Sequence, residues 1–144
     1  ETYILRNSDK KTVGSANRIP FEIGFHYQMK DCNGQKLGSF HIENTITNVL
    51  SNDNYAVYSI KDAAGNTILE SERFTVLATE IKVTKAGDPS QVVAILKRSF
   101  VGAIANDQWT VDVLQPTQID ARVVLFIAAF KTLADNENVR LFKK

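Results

Sequence analysis

Two periods divide this chain. Up to about Leu114 apolar residues recur at every second position in short runs, the period of half-buried strands. From Ala121 to Leu133 they cover every side of a 3.6-residue period, so that segment reads as a helix without a polar face. The alternation is clearest at Glu22 to Lys30, where Ile23, Phe25, Tyr27 and Met29 interleave with Glu22, Gly24, His26, Gln28 and Lys30. A second strand is expected from about Lys36 to Ile46. Others are expected at Tyr3 to Arg6, Lys10 to Gly14, Tyr55 to Lys61, Thr67 to Glu70, Phe74 to Ala78, Ile81 to Lys85, Val92 to Lys97, Phe100 to Ile104 and Trp109 to Leu114. Val139 to Phe142 adds a candidate strand at the tail.

The turns between strands carry a repeat. Tyr27-Gln-Met-Lys-Asp-Cys-Asn-Gly34-Gln-Lys-Leu37 lies over Tyr58-Ser-Ile-Lys-Asp-Ala-Ala-Gly65-Asn-Thr-Ile68, both reading Tyr-x-apolar-Lys-Asp-x-x-Gly-x-x-apolar. The Asp hydrogen-bonds its own backbone two residues on and the Gly supplies a positive φ, so each copy predicts a hairpin. Lys85-Ala-Gly-Asp-Pro89 is a third, looser turn. Two such copies suggest a meander of similar hairpins rather than a solenoid.

A helix apolar on all sides must be wrapped. Thr117 is expected to cap it, with Asp120 three residues later, and a helix from Asp120 to Ala134 is roughly 22 Å long. An eight-stranded barrel is filled by its own side chains, so enclosing a helix takes more strands, as in cans of about eleven. The expected fold is therefore mainly β with one buried helix. It is a closed, roughly twelve-stranded antiparallel barrel around a hydrophobic C-terminal helix, in a single domain over residues 1–144. The alternative is a two-layer α+β sheet with the helix on one face, which would tolerate a polar outer stripe.

Composition narrows the function classes. A net charge of +1 over 144 residues argues against nucleic acid as the main partner. Cys32 is the single cysteine, which excludes an internal disulfide and a Cys-rich metal framework. The longest apolar run, Val123 to Phe130, falls far short of the ~20 residues that span a bilayer as a helix. The expected setting is cytoplasmic or peripheral to a membrane. Because the chain opens on Glu1 rather than Met, some upstream segment is expected to have been removed or left out of the sequence.

The hairpin pattern apolar-Lys-Asp-x-x-Gly, the strand Val92-Val-Ala-Ile-Leu-Lys-Arg98 and the terminal Asp120-Ala-Arg-Val-Val-Leu-Phe-Ile-Ala-Ala-Phe130 resemble the LURP-one-related proteins. These belong with the tubby C-terminal domain and the phospholipid scramblases. The resemblance runs roughly from Phe21 to Asn136 and rests on structural motifs. It implies a twelve-stranded barrel around a hydrophobic helix, and it implies lipid association. Tubby domains bind membrane phosphoinositides, and scramblases are lipid-associated and respond to calcium. This chain lacks a Cys-rich palmitoylation cluster and a clear acidic calcium loop, and tubby's basic phosphoinositide residues do not map onto it one by one.

No motif points to catalysis. A Gly-x-Ser-x-Gly elbow, a P-loop, His-Glu-x-x-His and Gly-x-Gly-x-x-Gly are all absent, so no enzyme and no cofactor are expected. Cys32 reads as a turn residue, because no adjacent cation or helix N-terminus would activate it. Trp109 alternates with Val111 and Val113 and reads as core. Asp31, Asp62 and Asp88 read as turn formers rather than calcium ligands. The two histidines are more specific. If Asn33-Gly34 is a two-residue loop, residues whose numbers sum to 67 face each other, which sets His26 against His41, Phe25 against Ile42 and Tyr27 against Phe40. A three-residue loop ending in a left-handed Gly34 would break that register. Two imidazoles without a third ligand do not make a metal site, so none is expected.

The resulting expectation is a non-enzymatic binding module resembling LURP-one-related and tubby-like domains, with membrane phosphoinositides as the ligand. The alternative is a protein-interaction or scaffold domain without lipid binding. A reader of phosphate head groups gathers Lys and Arg on one face. The candidates are Lys82, Lys85, Lys97 and Arg98 on two neighbouring strands, with Glu80 placed to neutralise one of them. Adjacent Lys97 and Arg98 must point to opposite faces of a regular strand.

Overall fold

Ten strands and one helix make up the regular structure among the residues that the computed structural model describes, 2–20, 26–44, 55–72, 74–75, 78–98 and 108–142. In chain order they are β1 (Thr2–Arg6), β2 (Thr12–Arg18), β3 (Tyr27–Asp31), β4 (Lys36–Asn44), β5 (Tyr55–Lys61), β6 (Thr67–Ser71), β7 (Phe74–Thr75), β8 (Glu80–Lys85), β9 (Asp88–Arg98), β10 (Trp109–Val113) and α1 (Ala121–Phe142). Every pairing is antiparallel, and the order across the sheet follows the chain from β1 to β10, with β7 set aside on β5. This is the expected meander. The expected strand at Phe100 to Ile104 lies outside the described residues, as do Glu22 to Phe25 and Ile46.

The expected closed barrel of about twelve strands is not found. Among the described residues β1 and β10 end the sheet and do not pair with each other. One reason lies in the tail, where Val139 to Phe142 continues α1 instead of forming a strand. No Gly or Pro follows Leu133 to stop the helix, so helical propagation wins over a short apolar alternation. The sheet nevertheless reaches α1 from both ends. Tyr3 of β1 meets Phe130 edge-on at 6.0 Å, and Trp109 Nε1 of β10 donates to Thr132 Oγ1 at 2.9 Å.

The core forms where alternate strand positions meet the helix. Tyr27, Met29, Phe40, Tyr58, Ile60, Leu69, Ile81, Val83 and Leu96 are buried against Val123, Val124, Phe126, Ile127 and Phe130. Tyr27 stacks on Phe130 at 4.3 Å, and Phe40 approaches the same ring at 4.8 Å. Each such side chain contributes about 1.5–3 kcal/mol by leaving water.

The helix is not enclosed on every side. Ala121, Leu125 and Ala129, four residues apart along one stripe, stay exposed, and Leu125 keeps 40% of its surface. An open sheet leaves one side of α1 uncovered, which is why an apolar stripe reaches solvent. Lys131, by contrast, is buried at 2% exposure.

The cap also differs from expectation. Asp120, not Thr117, caps α1, its Oδ1 accepting the backbone N–H of Arg122 at 2.9 Å. Its carboxylate also takes two bonds from the Arg122 guanidinium, at 3.0 and 2.7 Å, and Arg122 Nη1 reaches Val13 O of β2 at 3.3 Å. The Arg122 hydrogen bonds, with its positive charge, hold the Asp120 carboxyl below its usual range despite some burial. This short clamp ties the start of the helix to the sheet.

Candidate functional site

The β3–β4 hairpin carries the most specific polar arrangement among the described residues. Its turn is a three-residue loop. Asp31 N–H donates to Gln35 O at 2.9 Å, Asp31 Oδ1 accepts from Asn33 and Gln35 N–H at 2.9 Å each, and Gly34 has φ 82°. Lys30 therefore pairs with Lys36, one step off the register of a two-residue loop. A bulge beside Gly38 then takes up one residue, and from Met29–Gly38 through Gln28–Ser39 and Tyr27–Phe40 the numbers sum to 67 again. Gly38 stands at φ 142°, and a Cβ there would lie 2.5 Å from Lys61 O, so the bulge needs glycine.

The restored register brings the two histidines together. His26 Nδ1 lies 2.6 Å from His41 Nδ1, a hydrogen-bond length, with ring centroids 4.7 Å apart. His41 Nε2 is 2.8 Å from Ser39 Oγ, two residues back on the same strand face. Opposite His41 on β5 sits Ser59, whose buried Oγ has no hydrogen-bond partner among the described residues. No group of three or more His, Cys, Asp or Glu side chains among the described residues is placed to hold a metal ion. Sequence reasoning missed Ser39, although its place two residues before His41 sets both on one strand face and was a signal that could have found it. Ser59 carried no such signal, because its register depends on the β4–β5 connection.

The four basic candidates separate. Lys82 on β8 and Lys97 on β9 share the sheet face turned away from α1, and Glu80 lies 4.0 Å from each ammonium. Lys85 is exposed at the β8–β9 turn, paired in register with Asp88. Arg98 points the other way, as strand alternation requires. It is 6% exposed, its Nε donates to Ala78 O at 2.9 Å, and its guanidinium lies 4.7 Å over the Trp109 ring. Trp109 packs against the core as expected, and Cys32 is exposed in its turn.

On the helix, the exposed Ala121–Leu125–Ala129 stripe is the other notable surface. No helix among the described residues is long and apolar enough to cross a membrane. Compared with family models, curated proteins and solved structures, the chain finds no match in any of the three.

Proposed function

We propose that this chain is a non-enzymatic interaction domain that receives a protein partner on the uncovered side of α1. The observation that carries this reading is the stripe Ala121–Leu125–Ala129, which is exposed yet has no polar side chain. A surface helix normally turns charged residues to water, and small residues flanking a leucine let a partner approach the backbone closely. Leu125→Lys exchanges one good helix former for another at an exposed position, so the fold should persist. Cross-linking from a photoreactive residue at position 129 tests the idea. A protein captured by the parent and lost with Leu125→Lys supports it, and identical capture profiles for the two chains overturn it.

A second reading, anionic lipid head groups, is favoured by the neighbouring Lys82 and Lys97 and by the resemblance to tubby-like and LURP-one-related domains. In this reading a phosphate replaces Glu80 as the shared partner of the two ammonium groups. Lys85 contributes from the turn, while Arg98 acts only by holding β9. Flotation with phosphoinositide vesicles against neutral ones separates the readings. Salt-sensitive recovery that disappears in a Lys82→Ala, Lys97→Ala double variant supports lipid, and equal recovery from both vesicle types excludes it.

A further inference from the structure

We propose that Asn33 is a self-modification site, converted to an isoaspartyl linkage by attack of the Gly34 backbone nitrogen when the β3–β4 hairpin opens. The pair Asn33-Gly34 is exposed at the turn, and it is the single Asn-Gly sequence in the chain. The backbone N–H of Asn33 donates to Asp31 Oδ1 at 2.9 Å, but its carboxamide makes no hydrogen bond among the described residues. Gly34 has no side chain to shield its nitrogen, and even a Cβ there would meet nothing within 4 Å. An uncommitted carboxamide therefore sits beside an unhindered nucleophile in water.

The steps balance without a further reagent than water. The Gly34 nitrogen bonds to Asn33 Cγ, and its proton leaves with the side-chain amide as ammonia. A cyclic succinimide remains. Water then adds to one of its carbonyls and breaks one C–N bond. Opening at Cγ gives aspartate, whereas opening at the main-chain carbonyl of Asn33 leaves the chain running through Cβ and Cγ. Either way a water is consumed and an ammonia released, with no oxidation or reduction. The new carboxylate takes the net charge from +1 to 0.

The closed turn holds the reaction back. Gly34 N–H donates to Asp31 O at 3.1 Å, which occupies the attacking nitrogen, and Asp31 Oδ1 accepts from Asn33 and Gln35 N–H at 2.9 Å each. Local opening of the hairpin releases that nitrogen, so conversion follows how often the turn opens. The isoaspartyl product cannot close in the same way. Its extra backbone atom lies between Asp31 and Gly34, whose bond sets the three-residue loop, and the register restored at Gly38 depends on that loop length. Two other asparagines lack this combination. Asn7 precedes Ser8, and its Oδ1 accepts from Asp9 and Lys11 N–H at 3.0 Å each. Asn66 precedes Thr67, and its Nδ2 donates to Asp62 Oδ2 at 3.5 Å.

Ageing the full chain in oxygen-18 water at mildly alkaline pH tests this, with peptide mass spectrometry that separates isoaspartate from aspartate. The Asn33 peptide should lose its side-chain nitrogen and take up a heavy oxygen, with isoaspartate in excess, ahead of the peptides carrying Asn7 and Asn66. Asp31→Ala removes both Oδ1 bonds and should speed conversion by about fivefold. Asn33→Asp brings the charge without the longer chain. The amide shifts of Ser39 and His41 should therefore move in the purified isoaspartyl form and stay near the parent values in freshly prepared Asn33→Asp. An Asn33 peptide that ages no faster than the Asn7 and Asn66 peptides would overturn the proposal. So would an Asp31→Ala chain that converts at the parent rate, and the ageing of the parent chain decides the matter even if that variant folds poorly.

Discussion

The two faces of the sheet obey different rules. The face toward α1 is apolar and closely packed, with Phe40, Met29, Ile81 and Leu96 at no measurable exposure. The opposite face is a polar mosaic of Gln28, Ser39, His41, Lys61, Glu70, Lys82 and Lys97. Strand alternation alone sorts the residues, and the outcome for a charged group depends on the side to which it falls. Lys97 on the outer face meets Glu80 at 4.0 Å in solvent, whereas Arg98 beside it is folded inward over Trp109. Stability resides on one face and polar chemistry on the other.

The sharpest way to break this contrast is within α1. Phe126→Ala removes a ring that is 2% exposed, stacked on Phe130 and set against Gly14, and should cost about 3–5 kcal/mol in denaturant unfolding. If that loss fell below ~1 kcal/mol, the inner face would not be close-packed. Next is the bulge. Gly38→Ala forces a Cβ toward Lys61 O at a φ of 142° and should cost about 1–3 kcal/mol, with new amide shifts around His41. Gly34→Ala, where a Cβ meets nothing within 4 Å, should cost less than Gly38→Ala, which isolates the close approach from backbone strain.

Asp120→Ala removes a cap and should cost about 1 kcal/mol near neutral pH. The carboxyl is held below its ordinary range, chiefly by the Arg122 side chain, so its contribution is present above the unfolded carboxylate value of about 3.9. It is lost as the pH falls through the lower folded value, and parent and variant stabilities should converge there. Smallest of all, Lys82→Ala should shift stability by no more than about 0.5 kcal/mol, since its pairing with Glu80 is long and both partners are exposed. A larger loss would mean that the outer face also carries the fold.

Local chemistry explains which features were readable in the chain. The two hairpin repeats fold alike: Gly34 N–H donates to Asp31 O and Gly65 N–H to Asp62 O, both at 3.1 Å, and each turn is followed by a register shift. Asp and Gly dictate those turns within a few residues, so no distant contact is needed. The facing histidines followed from the same turn by a less direct route. The loop holds three residues rather than two, and the bulge at Gly38 compensates. Closure of the sheet was not readable, because it depends on what β1 and β10 do after the meander is complete. The uncovered helix stripe has the same origin: periodicity identifies Leu125 as apolar, but only the extent of the sheet decides whether anything covers it. Arg98 stood with the lysines in sequence, and alternation alone already required it to part from Lys97.

The turn at Cys32 has a practical consequence for spectroscopy. The chain's single thiol is exposed at the tip of the β3–β4 hairpin, the end of β3 remote from His26. A maleimide dye placed there labels one site without altering a buried position. Its fluorescence would follow the opening of that hairpin in real time, independently of the helix and of the rest of the meander.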